Sequence, residues 1–286
     1  MPGGAAGRRG PDVIAVPELP EVESTRRDLE RDVIGRSVAA VVVRDRRLRW
    51  PVPAALGRKL AGRTITDIRR RAKYLLIGAE NGTVLVHLGM SGSLRLHRVP
   101  TMPGPHDHID LVLDDGRFVR YRDPRRFGCW LWTESDPTRH PLLVHLGPEP
   151  LGVDFDGAGL HRRLRGRTAP IKNMLMDSRI VAGVGNIYAN EALFIAGIDP
   201  RRAAGRIGRR RIDRLVDALQ DVLRVAVEAG GTTLRDYARA DGASGEFSSR
   251  LNVYGREGEP CPRCAVPLAR TNLGQRSTWY CRRCQR

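Results

Sequence analysis

The chain has 286 residues, 41% of them hydrophobic, and carries 49 Lys and Arg against 32 Asp and Glu, for a net charge of +17. That length allows one large domain or two modest ones with real cores, and the excess of positive charge points to a polyanionic partner, nucleic acid or an anionic membrane surface. No apolar run approaches the length of a membrane-spanning helix, and Met1–Val16 lacks the apolar core of a secretory signal, so the expectation is a cytoplasmic protein.

Residues 1–16 are rich in Gly, Ala and Arg without periodicity, and are read as a disordered extension or as no part of the native protein. The fold opens at Pro17-Glu18-Leu19-Pro20-Glu21-Val22-Glu23. Pro20 suits the first turn of a helix, Glu21 and Glu23 favour its positive end, Val22, Leu29 and Val33 give one apolar stripe, and Gly35 suits its end. Strand-like runs follow at 38–44, 64–70, 74–78, 83–88, 94–97, 109–113, 118–122 and 129–133, with hairpin signals at Asn81-Gly82 and Asp115-Gly116. Residues 17–132 thus read as an antiparallel β domain with a leading helix. The prolines of 133–150 mark a hinge. Helical periodicity takes over at 160–164, 171–176, 187–195, 212–227 and 232–238 in a domain spanning 151–254, and the Gly- and Ser-rich stretch 236–250 reads as a mobile loop. Residues 255–286 form a separate tail.

In the tail, Cys261-x-x-Cys264 and Cys281-x-x-Cys284 stand 16 residues apart. Two such pairs predict a closed four-thiolate site for one structural zinc, with no open position for catalysis, and the tail's seven arginines suit phosphate. Cys129 lies in an apolar run and reads as a core thiol.

Only three of the 49 basic residues are lysines: Lys59, Lys73 and Lys172. Arginine is always protonated, whereas lysine can lose its proton, so a lysine in this chain marks a place where arginine would fail; Lys59 is excepted as a chance survivor. A free N-terminal proline is a secondary amine that can form an iminium with a sugar carbon. Its low basicity leaves it partly neutral at pH 7, and Glu18 beside it could supply a proton. The alternative is that Pro17 and Pro20 only punctuate a loop. Glycines 183 and 185 precede the helix that begins near Asn186, a pattern that offers backbone N–H groups to an anion or else is a plain packing turn. Met90 and Phe127 each sit on a tight turn after a strand, as wedges between base steps or as core residues. His106-Asp107-His108 reads as a phosphate contact rather than a metal pair.

Together these motifs closely resemble the bacterial formamidopyrimidine-DNA glycosylases, over residues 17–286. The resemblance implies an α+β fold: an N-terminal antiparallel β-sandwich with a leading helix, a helical helix–two-turn–helix domain, and a β-hairpin zinc ribbon. It implies a bifunctional enzyme that excises oxidised purines from duplex DNA through an N-terminal proline Schiff base and then cuts the abasic strand by β,δ-elimination. Pro17 would be the nucleophile, Glu18 the proton donor, Lys73 the aid to β-elimination, and Arg276 a phosphate contact implicated in δ-elimination. Met90, Arg125 and Phe127 would fill the gap left by the flipped base. His106, Arg125, Lys172 and Asn186 would hold phosphates, with Arg167 near another, and the loop about 241–247 would cover the flipped base. The sister branch, endonuclease VIII, usually lacks both the Leu-Pro-Glu-Val-Glu continuation and this trio, which favours the purine-specific branch. The resemblance implies no organic cofactor, no membrane, a monomer, and a place on the bacterial nucleoid.

One departure stands out. With Met1 as the first residue, Pro17 nitrogen is a tertiary amide and no nucleophile. Val16 is what a GUG start codon gives when read as internal, so the expected protein starts there and loses its initiator. A chain that kept the extension would be a non-catalytic damage sensor. A sequence-specific zinc-ribbon transcription factor would need a recognition helix that the chain does not display.

Overall fold

A computed structural model describes residues 16–232 and 247–286. The expectations for 1–15 and for most of the covering loop therefore lie outside the described residues, as does all but the first residue of the helix expected at 232–238.

Alternating apolar residues make eight strands in two four-stranded antiparallel sheets. The first holds β1 (Val38–Val43), β5 (Ser93–His97), β6 (Asp107–Leu113) and β7 (Phe118–Arg122), in the order β1-β6-β7-β5. The second holds β2 (Ile65–Arg71), β3 (Tyr74–Ala79), β4 (Gly82–His87) and β8 (Cys129–Thr133), in the order β2-β3-β4-β8. Each sheet turns an apolar face to the other, and the second sheet also buries Leu76 and Leu85 on its far side with Leu143. Val38, Ile109 and Leu111 of one sheet share a continuous core with Ile65, Leu75 and Val84 of the other. The expected hairpin turns are present, with Gly82 at φ +158° and Gly116 at φ +83°.

The leading helix α1 (Leu19–Val33) buries Val22, Leu29 and Val33, and ends before Gly35 at φ +80°. A short α2 (Leu56–Leu60) was not expected; it seals the apolar Leu56 and Leu60 under the sheets. Beyond the hinge come α3 (Gly157–Leu164), α4 (Ile171–Met176), α5 (Asn186–Ile195) and α6 (Arg209–Glu228). The tail is a hairpin of β9 (Ala269–Leu273) and β10 (Arg276–Tyr280), antiparallel in register from Arg276 opposite Leu273 to Tyr280 opposite Ala269. Its turn, Gly274-Gln275, has φ of +55° and +62°, the left-handed pair that a tight two-residue hairpin needs. No helix among the described residues is long and apolar enough to cross a membrane.

Candidate active site and nucleic-acid interface

The site is built where α1 starts. Pro17 is buried, and its nitrogen is joined to Val16. The Leu19 N–H donates to Gly183 O at 3.2 Å, pinning the helix start to the glycine turn ahead of α5. Two buried carboxylates three residues apart then fare differently. Glu21 accepts the Glu18 N–H at 2.9 Å, the Tyr188 hydroxyl at 2.7 Å and the Thr232 N–H at 2.8 Å. Glu18 accepts the Ile187 N–H on Oε1 at 2.9 Å, while its buried Oε2 has no hydrogen-bond partner. Burial pushes Glu18 from its ordinary 4.5 up to about 7; the Lys73 ammonium pulls the other way and the Glu21 charge adds to the rise. Glu18 thus keeps its proton at a pH where an exposed carboxyl has lost it.

The glycines explain how the carboxyl gets there. A Cβ on Gly185 would lie 2.2 Å from Glu18 Cδ, so only glycine admits the side chain. Gly183, at φ +79°, lets the turn press on Leu19 and on the Ala72 backbone. The anion expected at the positive end of α5 is therefore, at the Ile187 N–H, the chain's own Glu18.

Lys73 follows Ala72, which holds a left-handed φ of +52° in the β2–β3 turn. Glu149 of the hinge clamps that turn, accepting the Ala72 N–H at 2.6 Å and the guanidiniums of Arg70 and Arg71 at 2.6 and 2.8 Å. Lys73 keeps some surface, but close packing desolvates its ammonium and lowers its pKa below the usual 10.5; Glu18 and Glu21 oppose the fall and Arg276 adds to it.

Arg276 is exposed beside the ribbon turn. Lys172 is not a surface cation. It is buried, and its ammonium donates to Ser277 O at 2.9 Å and to Thr278 Oγ1 at 2.7 Å. Burial lowers it to about 7, with Glu18 opposing and Arg276 adding. Asn186 donates to the same Ser277 O at 3.1 Å, and the Trp279 N–H donates to Asn190 Oδ1 at 2.9 Å. These bonds dock the ribbon onto α4 and α5. Glu18, Lys73, Lys172 and Arg276 thus come from four separate parts of the chain into one electrostatic neighbourhood.

The turns of Met90 and Phe127 also meet. A Cβ on Gly89 would lie 2.5 Å from the Phe127 carbonyl carbon. Phe127 is 44% exposed, which removes the core reading for it, and the Arg125 guanidinium lies 4.9 Å over its ring. Met90 is half-buried. His87 accepts the Gly89 N–H on Nδ1 at 2.9 Å, and burial, with Lys73 and Arg49 nearby, holds it neutral by lowering its pKa to about 4. His106 is half-buried and its carbonyl accepts the Asp123 N–H at 3.0 Å; His108 is buried with Nε2 against Asp123 O at 2.9 Å. Arg167 is exposed and, with Arg163, Asp177 and Arg179, lines a surface cavity of about 250 Å³.

Among the described residues, the only group of three or more potential metal ligands is Cys261, Cys264, Cys281 and Cys284, whose sulfurs all lie within 4.8 Å of one another. None of the four is in a disulfide. A zinc ion at about 2.3 Å from each sulfur sets neighbouring sulfurs a little under 4 Å apart, so the group fits one closed tetrahedral zinc. The Arg263 and Cys284 N–H groups point at Cys261 and Cys281 sulfur, at 3.5 and 3.4 Å, as supports for thiolates.

Sequence reasoning did not single out Tyr188, Asp123, Glu149, Tyr254 or Glu191. Glu191 is buried on α5 and accepts three backbone N–H groups, from Asn252, Val253 and Tyr254. Tyr254 packs 4.5 Å from the Trp279 ring and bonds Asn186. The spacing of Glu21 after Glu18 is that of a capping box and was available to find that pair. Tyr188, Glu149, Tyr254 and Glu191 act on partners distant in the chain and leave no local signal; Asp123 holds Tyr121 and Gly128 close by but meets Ser91 across 32 residues.

Three family models match in succession: the formamidopyrimidine-DNA glycosylase N-terminal domain over 16–130, the H2TH domain of the same enzymes over 146–238, and a zinc finger found in FPG and IleRS over 258–286. The formamidopyrimidine-DNA glycosylase of Methylococcus capsulatus is 55% identical over 271 residues, covering 95% of this chain and all of the relative. That of Halorhodospira halophila is 57% identical over 272 residues, with the same coverage. Among solved structures, the MutM (Fpg) protein of Thermus thermophilus matches with a TM-score of 0.84 at 43% identity, over 94% of this chain and 98% of that one. Lactococcus lactis Fpg bound to DNA containing an abasic site matches with a TM-score of 0.87 at 33% identity, over 94% and 100%.

Proposed function

From the premise that the chain belongs to the formamidopyrimidine-DNA glycosylase family, we propose that Pro17, Glu18, Lys73 and Arg276 carry the chemistry. The enzyme performs base-excision repair of oxidised purines, and is a glycosylase that also cleaves the abasic strand. Its partner is DNA containing such lesions or abasic sites, and it carries one structural zinc. A base stacked in a duplex is shielded at C1′, so the nucleotide is flipped out first. The Pro17 amine, once freed of residue 16, attacks C1′ and gives up its N–H proton, while the base departs with the C1′–N bond electrons and takes up a proton. The sugar ring then opens: O4′ takes a proton from Glu18, and the nitrogen is left as an iminium. Loss of a C2′ proton, aided by Lys73, expels the 3′-phosphate, and Arg276 holds phosphate through the second elimination. Covalent attack divides one hard displacement into easier steps.

The observation that carries this reading is Glu18: buried, pushed up to about 7, with one oxygen anchored and the other free to give a proton. Met90, Arg125 and Phe127 fill the vacated stack, and His106, Arg125, Arg167, Lys172 and Asn186 serve the phosphates. Lys172 is buried with two N–H groups spent on the ribbon, so it serves the phosphates by holding Ser277 and Thr278 in place beside Arg276. The folded enzyme spans 17–132, 151–254 and 255–286, works as a monomer, and resides on the nucleoid.

Two preparations test the proline. One begins Met-Pro17 and loses its methionine; the other keeps residues 1–286 uncleaved. Borohydride should trap only the first on 8-oxoguanine DNA, while both bind DNA. Covalent trapping by a demonstrably uncleaved chain would falsify the proline mechanism and move suspicion to Lys73.

A further inference from the structure

Asp123 lies between the two turns that carry Met90, Arg125 and Phe127, and the chemistry above gives it no task. It is 0% exposed. Its Oδ1 accepts the Ser91 hydroxyl at 2.8 Å. Its Oδ2 accepts the Tyr121 hydroxyl at 3.0 Å and the Gly128 N–H at 2.9 Å. Ser91 Oγ in turn accepts the Arg125 N–H at 3.1 Å. One carboxylate and one hydroxyl therefore join the residue after Met90, the backbone of Arg125, the residue after Phe127, and a core tyrosine of β7.

A buried carboxylate answered by neutral donors is an expensive way to join two turns, and apolar packing would do it at lower cost. What hydrogen bonds add is direction. Phe127 and Arg125 stand out from the surface and have little packing of their own to order them. A side chain that must be ordered during insertion loses that ordering entropy from its gain, and one held in place beforehand does not.

We infer that Asp123, relayed by Ser91, is the positioning residue of the stack-filling trio. It fixes the Met90 turn and the Arg125–Phe127 turn at one separation, so that the three side chains enter the duplex as a unit. The inference rests on the stack-filling role proposed for that trio.

The test uses the zinc-loaded chain that begins at Pro17, as Ser91→Ala, Asp123→Asn, Met90→Ala and the Ser91→Ala/Met90→Ala double variant. The probe is a duplex with 8-oxoguanine and a 2-aminopurine in the stack beside it, whose fluorescence reports unstacking and refilling. Ser91→Ala deletes both hydrogen bonds of the relay, to Asp123 and from the Arg125 N–H, and should slow both the fluorescence step and excision about tenfold. Asp123→Asn should slow them further. Borohydride trapping at an abasic site in single-stranded DNA, which has no stack to fill, should fall far less. The double variant should lose less relative to Met90→Ala than Ser91→Ala loses relative to the intact chain, because only the Arg125–Phe127 turn is then left for Ser91 to place. If Asp123→Asn does not fold, Ser91→Ala still decides. A normal fluorescence step in Ser91→Ala beside an impaired Met90→Ala overturns the inference, as does an equal loss on the single-stranded substrate. A normal step in Met90→Ala itself removes the stack-filling role, and the inference with it.

Discussion

The start of α1 and the hairpin of the ribbon serve one site by opposite means. Around Glu18 the chain is dense: the carboxyl is buried, a glycine gap is shaped to it, and a helix N–H holds one oxygen. The ribbon is a two-stranded hairpin that buries little, and such a unit is not stable without a staple. Four thiols gather where a metal would supply it. Burial makes reactivity in the first region, because desolvation moves a proton equilibrium. In the second, exposure is what the role proposed for Arg276 requires, because a phosphate contact has to reach out. Lys172 joins the two, with its ammonium on the ribbon backbone and its charge in the field of Glu18.

Removing the proton donor proposed above, Glu18, should do the most damage. Glu18→Gln keeps the Ile187 hydrogen bond and the volume but has no acidic proton to give. Single-turnover excision should fall about a thousandfold, within the usual range for a positioned acid, with DNA affinity kept. Excision near the wild-type rate would end the comparison, because the dense region would then be only structural.

Next comes the metal. Chelation, or Cys281→Ser, should disorder β9 and β10 and leave the buried Lys172 ammonium without its partners. Affinity for any duplex, measured by anisotropy, should fall roughly ten- to a hundredfold, with the helical circular dichroism largely kept. Full lesion binding by a zinc-free chain would show that the ribbon needs no staple.

Lys73→Arg keeps a cation in the turn held by Glu149 but gives up the ability to shed a proton. Strand cleavage at an abasic site should slow about tenfold, more than binding weakens. Unchanged lyase kinetics would make Lys73 a plain cation.

The smallest expected effect is on stability. A carboxyl whose folded pKa is raised favours the fold while protonated. That contribution is whole below 4.5 and is lost as pH rises through about 7. Glu18→Gln, which never ionises, should therefore match wild type at pH 4 and exceed it at pH 8 by up to about 3 kcal/mol. Thermal melts of both at the two pH values read the difference. Lys172 and Lys73 lose the pull of the Glu18 charge in the variant, so the difference reads Glu18 together with these two ammoniums.

Much of this protein was legible in its residues because the relevant physics is local. Strand alternation, the glycines at the turns, the two cysteine pairs and the proline-rich hinge each declare themselves within a few positions, and all eight strands lie where the alternation put them. The scarcity of lysine singled out Lys73 and Lys172, and both stand in the field of Glu18. The tertiary structure decided what depends on distant partners. Glu18 meets the Ile187 N–H across 169 residues, and Lys172 meets Thr278 across 106. That Lys172 is buried, that the N-terminus of α5 holds the chain's own carboxylate, and that Asp123 binds two turns together could not be read from spacing. Desolvation and hydrogen-bond satisfaction are properties of an enclosed volume, and a sequence does not enclose one until it folds.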